Sequence, residues 1–201
     1  MTASGEPSPA APAADDAALV ARVAARDPAA LREVIARHAG ALHRIAWRMT
    51  GDAYEAEDIV QEACLRLWDH APRLAARHPA GTTAASALRL SGWLARVVTN
   101  LAIDRLRLAR RVSGEDVPDR ADDAPLADAR IEASEREGAT RALVLALPER
   151  QRAAIVLTYY EELSNAEAAA AMEMNIKAFE SLLHRARAGL RQAFAAQGDA
   201  R

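Results

Sequence analysis

Two hundred and one residues, 51% of them apolar and 27% charged, describe one ordinary folded domain or two small ones, and they exclude a large enzyme or a long repeat array. Aromatic residues make up only 4%, so a core must be built from Ala, Leu, Val and Ile, which favours helices packed closely on helices. The net charge of -2, from 26 basic and 28 acidic residues, argues by itself against a nucleic-acid binder, and the single Cys64 excludes an internal disulfide and a multi-cysteine metal site.

The chain opens with MTASGEPSPAAPAADD, which lacks a basic segment followed by an apolar one and so reads as a disordered arm (1–16) rather than a signal peptide. No apolar run reaches the roughly 18 residues of a membrane span, so a cytoplasmic protein without membrane insertion is expected. Leu31, Val34, Ile35, Leu42, Ile45 and Met49 recur at helical spacing and predict one buried stripe, ended by Gly51. Asp52 followed by Glu55 has the form of a capping box, and Ile59, Val60, Ala63 and Leu67 supply the apolar face of the helix that follows. Its other face is acidic: residues 52–69 carry a balance of -5.

The stretch 85–111 reverses this to +5. A helix from about Ser91 to Arg111 places Leu94, Val98 and Leu101 inward, while Trp93, Arg96, Asn100, Asp104, Arg107 and Arg111 fall within about 60° of one line. Guanidiniums that neutralise phosphates, a ring that stacks on an unpaired base and an amide that reads a base edge suit single-stranded or melting DNA. A solvated basic helix with Trp93 covering the core is the plainer alternative. Residues 112–137 return to -6, contain Pro118 and Pro125, and read as an acidic flexible linker between two helical domains.

The last segment starts a helix at Pro148 and offers Ala154, Ile155, Leu157 and Tyr159 or Tyr160 to a core. Ser164 can cap a helix of about eight residues, and Asn175 a longer one whose Ile176, Phe179, Leu182, Leu183, Ala186 and Leu190 face inward. A short helix, a turn and a longer helix of net charge +3 over 176–191 make a helix-turn-helix, with Lys177, Glu180, Ser181, His184 and Arg185 projecting toward a major groove and an amphipathic hairpin as the alternative. The five histidines show no metal-ligand spacing, and no Gly-rich phosphate loop, nucleophile elbow or carboxylate pair marks an enzyme, cofactor or small-molecule site.

Three segments, YEAEDIVQEACLRLW (54–68), GWLARVVTNLAIDRLRLARR (92–111) and LPERQRAAIVLTYYEELSNAEAAAAM with NIKAFESLLHRARAGLR (147–191), resemble the extracytoplasmic-function (ECF) sigma factors of bacterial RNA polymerase. The resemblance implies an all-α chain with sigma region 2 at 17–111, the linker, region 4 at 138–195 and a tail at 196–201. It implies core polymerase docking through Glu57, Asp58, Gln61 and Glu62, and contact with the -10 element through Trp93, Arg96, Asn100, Asp104, Arg107, Arg110 and Arg111. Lys177, Glu180, Ser181, His184, Arg185 and Arg187 would read the -35 element. The partners implied are core RNA polymerase, promoter DNA and an anti-sigma factor. About 26 extended linker residues reach roughly 85 Å, more than the roughly 55 Å between elements one and a half DNA turns apart. Two departures stand out: residues 71–92 are longer than the family's loop, and Glu173 sits in the turn where the family has Gly, so either the turn adjusts or Glu173 is strained. A decoy that sequesters an anti-sigma factor could dispense with Arg107, Arg111, Arg185 and Arg187. A one-component helix-turn-helix regulator would leave EDIVQE and WLARVVTN unexplained.

Overall fold

The computed structural model describes residues 13–112 and 134–199. Among them the regular structure is helical: α1 (Ala13–Ala24), α2 (Pro28–Thr50), α3 (Ala53–Arg77), α4 (Leu90–Val112), α5 (Ser134–Ala146), α6 (Glu149–Ile155), α7 (Asn165–Ala171) and α8 (Ile176–Asp199), with a 3₁₀ turn at Thr83–Ala87 and a π turn at Val156–Tyr160. Most of the N-terminal arm, the linker up to 133 and residues 200–201 lie outside the described residues, although α1 starts inside the expected arm and α5 inside the expected linker. Two compact units form, one from the chain up to Arg37 with Cys64–Ser91, the other from His38–Ala63 with Gly92 onward.

The first unit is organised by α1, whose Ala17, Val20 and Val23 are fully buried and which lies against the 3₁₀ turn. Asp16, in its first turn, is itself buried, and its carboxylate accepts the Leu90 backbone N–H at 2.9 Å. That carboxylate satisfies one of the N–H donors left open at the start of α4. The helix ends in a Schellman motif, with Arg26 N–H to Val23 O at 2.9 Å and Asp27 N–H to Arg22 O at 3.1 Å. Arg26 therefore takes a positive φ of 64°. Asp27 then caps α2 by accepting the Ala29 N–H at 2.8 Å, just before Pro28 opens that helix.

Residues 71–92 were expected to form one long loop, but α3 continues through Pro72 to Arg77. Proline removes one helical donor and leaves a carbonyl four residues earlier without a partner. Here that carbonyl belongs to Trp68, and it accepts Arg26 Nη1 at 2.9 Å while the same guanidinium lies 4.9 Å from the Trp68 ring. The repair comes from another helix, so the local signal could not reveal it, and the loop before α4 begins only at His78.

Along α2, whose residues from His38 belong to the second unit, Val34, Leu42, Ile45 and Met49 are buried as the stripe predicts, whereas Ile35 is 40% exposed and corrects that reading. Gly51 adopts φ 79°, and a Cβ there would meet Leu145 Cδ1 at 3.0 Å, so glycine serves both the turn and the approach of α5. The capping box at α3 is only half formed. Asp52 accepts the N–H groups of Tyr54 (2.8 Å) and Glu55 (3.0 Å), but the Asp52 N–H goes to Thr50 Oγ1 at 3.3 Å and the Glu55 carboxylate goes to Arg105 at 2.9 Å.

α6 and α7 meet α8 over alanines, with Ala153, Ala154, Ala168 and Ala171 buried against Phe179, Leu183 and Ala186. Small side chains let these backbones approach closely, and full burial of a residue such as Leu183 contributes about 2 kcal/mol. Neither Tyr159 nor Tyr160, one of which was expected in the core, is buried, at 52% and 38% exposed, and Ile176, expected to face inward, is 46% exposed. The π turn directs Val156 and Leu157 inward instead. Tyr160 lies 4.4 Å from the Arg48 guanidinium, and the Tyr159 hydroxyl accepts from Arg187 Nε.

Arg152 anchors α6 within this unit. Its guanidinium donates to the carbonyls of Met49, Leu145 and Leu147, at the C-terminal ends of α2 and α5, where helices leave carbonyls unpaired. Burial pushes it down to about 10, with the neighbouring Arg110 adding to this and Glu149 opposing it, so it remains a cation at neutral pH. Arg141 has a parallel role, donating to Gly51 O at 2.7 Å and lying 3.9 Å from the Trp47 ring.

Candidate nucleic-acid and polymerase interfaces

The acidic helix α3 buries Ala56, Ile59 and Ala63 and turns Glu57, Asp58 and Gln61 outward, while Glu62 is half-buried. The periodicity therefore brings three of the four predicted docking residues onto one open surface. Asp58 also lies 3.7 Å from Arg105, which binds Glu55 at 2.9 Å. Tyr54, 82% exposed, was missed by the sequence reading. Its signal was present: it stands four residues before Asp58 and seven before Gln61, a spacing that puts all three on one side of the helix.

Along α4, Leu94, Val98 and Leu101 are buried as predicted. Trp93, Arg96, Asn100 and Arg110 are half-buried, and Asp104, Arg107 and Arg111 are exposed. Asp104 stands three residues before Arg107, a helical spacing at which the two can pair. Arg107 instead lies 3.8 Å from Glu149, which Arg110 approaches to 3.0 Å, and Arg96 lies 3.4 Å from Glu173. Glu149 opens α6, where a carboxylate also meets the positive end of the helix dipole.

The C-terminal helix-turn-helix forms as the caps predict. Ser164 and Glu167 complete a reciprocal capping box on α7, and Asn175 Oδ1 accepts the Ala178 N–H at 2.8 Å to start α8. Between them, α7 ends in a Schellman motif, with Met174 N–H to Ala169 O at 2.9 Å and Glu173 N–H to Ala170 O at 3.2 Å. Glu173 occupies the position that motif usually gives to glycine, with φ 52°. The turn keeps its geometry and the side chain bears the strain.

Beyond that turn, Lys177, Glu180, Ser181, His184 and Arg185 line one shallow concavity on α8. All five are exposed. Arg187 is also exposed, but Tyr159 holds its guanidinium, a contact between helices that spacing could not show. Cations and a carboxylate on an open helix face can contact phosphates and base edges in a groove. Cys64 is half-buried, and burial pushes its thiol up, away from reactivity.

Comparison with known proteins matches residues 34–112 to the family model described as Sigma-70 region 2 and residues 138–190 to the one described as Sigma-70, region 4. The ECF RNA polymerase sigma factor SigE of Mycolicibacterium smegmatis is 33% identical over 151 residues, covering 73% of this chain and 54% of the relative, so the chain spans about half that protein's length. The RNA polymerase sigma-E factor of Streptomyces antibioticus is 33% identical over 145 residues, covering 70% of this chain and 71% of the relative. ECF RNA polymerase sigma factor SigW of Bacillus subtilis is 29% identical over 159 residues, with 74% and 80% covered. Among solved structures, CnrH in complex with the cytosolic domain of CnrY aligns with a TM-score of 0.60 at 24% identity, over 90% of this chain and 97% of that one. RpoE from Bartonella quintana, in complex with the anti-sigma factor NepR, gives 0.56 at 20% identity, over 82% and 96%. These structural likenesses are likenesses of fold.

Proposed function

Because this chain belongs to the ECF subfamily of the sigma-70 family of bacterial RNA polymerase sigma factors, we propose that it binds core RNA polymerase, directs it to specific promoters and promotes their opening. One observation supports this reading most: a single chain presents an acidic docking face on α3, an aromatic and arginine-bearing face on α4, and an open basic recognition face on α8. Region 2 corresponds to residues 17–111 and region 4 to 138–195. Glu57, Asp58, Gln61 and Glu62 meet basic side chains of the polymerase, where charge sets orientation and association rate more than affinity.

On promoter DNA, Arg96, Arg107, Arg110 and Arg111 neutralise phosphates near the -10 element, and Trp93 and Asn100 hold bases as they leave the duplex. Lys177, Glu180, Ser181, His184, Arg185 and Arg187 address the -35 element in the major groove. Asp104 lies in the -10 surface, where it orients the arginines that DNA draws away from their resting partners. The protein acts without a catalytic centre, cofactor or small-molecule substrate of its own. Among the described residues no helix is long and apolar enough to cross a membrane, which suits work on DNA in the cytoplasm. An anti-sigma factor is the partner that would restrain it, as NepR accompanies RpoE. A decoy confined to binding such a factor would have no use for the outward Lys177 and Arg185.

The test is reconstitution: the purified chain mixed with core polymerase and genomic DNA should yield transcripts starting at a defined set of promoters. Within that assay, Trp93→Ala with Asn100→Ala, once circular dichroism shows a folded chain, should keep polymerase association but lose permanganate-reactive thymines, since one stacking ring contributes about 1–3 kcal/mol. Promoters opened by the double variant as by wild type would remove these residues from melting. Polymerase binding without any promoter opening by wild type would favour the decoy.

A further inference from the structure

Tyr159 stands 52% exposed on the π turn and lies against Arg187, which is exposed on α8. Its hydroxyl accepts from Arg187 Nε, and the guanidinium carbon is 5.3 Å from the centre of its ring. Nε is the inner nitrogen of the guanidinium, so Nη1 and Nη2 are left over, and among the described residues no ion pair engages them. Arg187 comes three residues after His184 and seven after Glu180, which sets it along one edge of the concavity on α8 rather than in its middle. A helix in a major groove points its central side chains at base edges, and residues on its flanks meet the phosphates that rim the groove.

We propose that Tyr159 is a positioning residue for the -35 element: it holds the Arg187 guanidinium by Nε and leaves Nη1 and Nη2 to grip one DNA backbone phosphate. This inference rests on the assignment of α8 to the -35 element. It adds a task for a residue outside the recognition helix, and it confines Arg187 to the backbone while its neighbours read bases.

The chemistry of the pair suits that task. A guanidinium binds phosphate through two parallel N–H···O bonds, and Nη1 with Nη2 supplies such a pair without Nε. A free arginine surrenders rotamer freedom when it grips a phosphate, whereas one already held has surrendered it before DNA arrives. Tyrosine is a fitting holder because it is neutral. A carboxylate in its place would answer the charge of Arg187 and compete with the phosphate. The hydroxyl that accepts from Nε also keeps its own proton, which it can donate to a second phosphate oxygen. The π turn makes the arrangement possible by directing Val156 and Leu157 into the core and Tyr159 out of it, and π turns concentrate at functional sites.

The experiment measures binding of the full chain, at several salt concentrations, to a duplex carrying the -35 sequence found by transcript mapping. Arg187→Ala should weaken binding about tenfold and flatten the log-log salt slope by about 1. Tyr159→Phe keeps the ring and removes only the hydroxyl; it should weaken binding about threefold, the scale of one neutral hydrogen bond. In an Arg187→Ala or Arg187→Lys background, where no Nε remains to be held, Tyr159→Phe should change nothing. A folding defect would persist in those backgrounds, which separates it from a lost clamp. The loss caused by Tyr159→Phe should also be the same on duplexes with single base changes, because a phosphate carries no sequence. Wild-type binding by Tyr159→Phe, or an equal loss with and without Arg187, overturns the proposal. The assignment beneath it is tested by Lys177→Ala with Arg185→Ala: if that pair weakens duplex binding while Tyr159→Phe does not, only the clamp falls, and if that pair leaves binding untouched, both fall.

Discussion

The two basic helices of this protein, α4 and α8, hold similar side chains in opposite states. On α8, Lys177 and Arg185 border an open concavity, with Glu180, Ser181 and His184 beside them. On α4, Arg96, Arg107 and Arg110 already have carboxylate partners, and Arg105 is occupied by Glu55 and Asp58. A count of positive charges cannot separate these cases. What separates them is which acids the fold brings within reach, and the consequence is that one basic face stands open while the other is already paired.

The sharpest way to break this contrast is to remove what fastens the C-terminal helices beside α4. Arg152→Leu abandons donors to three carbonyls in a buried setting and should destabilise the folded chain by about 3 kcal/mol in denaturant unfolding. Arg152→Lys should recover little, because an ammonium lacks the planar fork that reaches three acceptors. An unfolding midpoint unmoved by either change would mean that Arg152 is not the anchor.

The contrast should appear next in salt dependence. Once a -35 duplex is known from transcript mapping, Lys177→Ala with Arg185→Ala should weaken its binding and flatten the log-log salt slope by about 2, one released counterion per lost contact. Arg107→Ala with Arg110→Ala should leave that slope in the free chain where it was. Equal flattening by both pairs would erase the distinction between an open and a paired helix.

Reversing Asp58 and Glu62 to Lys probes the third surface. Association with core polymerase should slow several-fold and lose salt sensitivity, while -35 binding by the free chain is retained. Core binding like that of wild type would move docking away from α3.

The smallest expected effect belongs to Glu173→Gly. Relief of a left-handed glutamate stabilises by about 1 kcal/mol, set against a half-exposed pair with Arg96 that contributes less, so the melting temperature should rise by roughly 1–2 °C. A lower melting temperature would show that the ion pair outweighs the strain.

Local chemistry was legible wherever neighbours in sequence were also partners in space. The Ser164–Glu167 capping box, the Asn175 cap, the inward Leu94, Val98 and Leu101 of α4 and the outward Lys177 and Arg185 of α8 all follow from spacing along one helix. Family resemblance added the tasks of these faces, and it marked Glu173 as the unusual residue whose φ of 52° the structure then displayed.

Other features depended on partners far along the chain. Pro72 reads as a helix breaker until Arg26 is found donating to the Trp68 carbonyl that the proline leaves open, forty-two residues away. Tyr159 and Tyr160 read as core until the π turn points them at Arg187 and Arg48. Glu55 reads as half of a capping box until Arg105 claims it. The sequence by itself determined the helices, their caps and the sign of each face, because those depend on periodicity and on bonds closed within a few residues. Tertiary structure alone decided which arginines stay open, which carbonyls are answered and which acids lie beside α4, because charge pairing and burial depend on distance in space, and distance along the chain does not predict it.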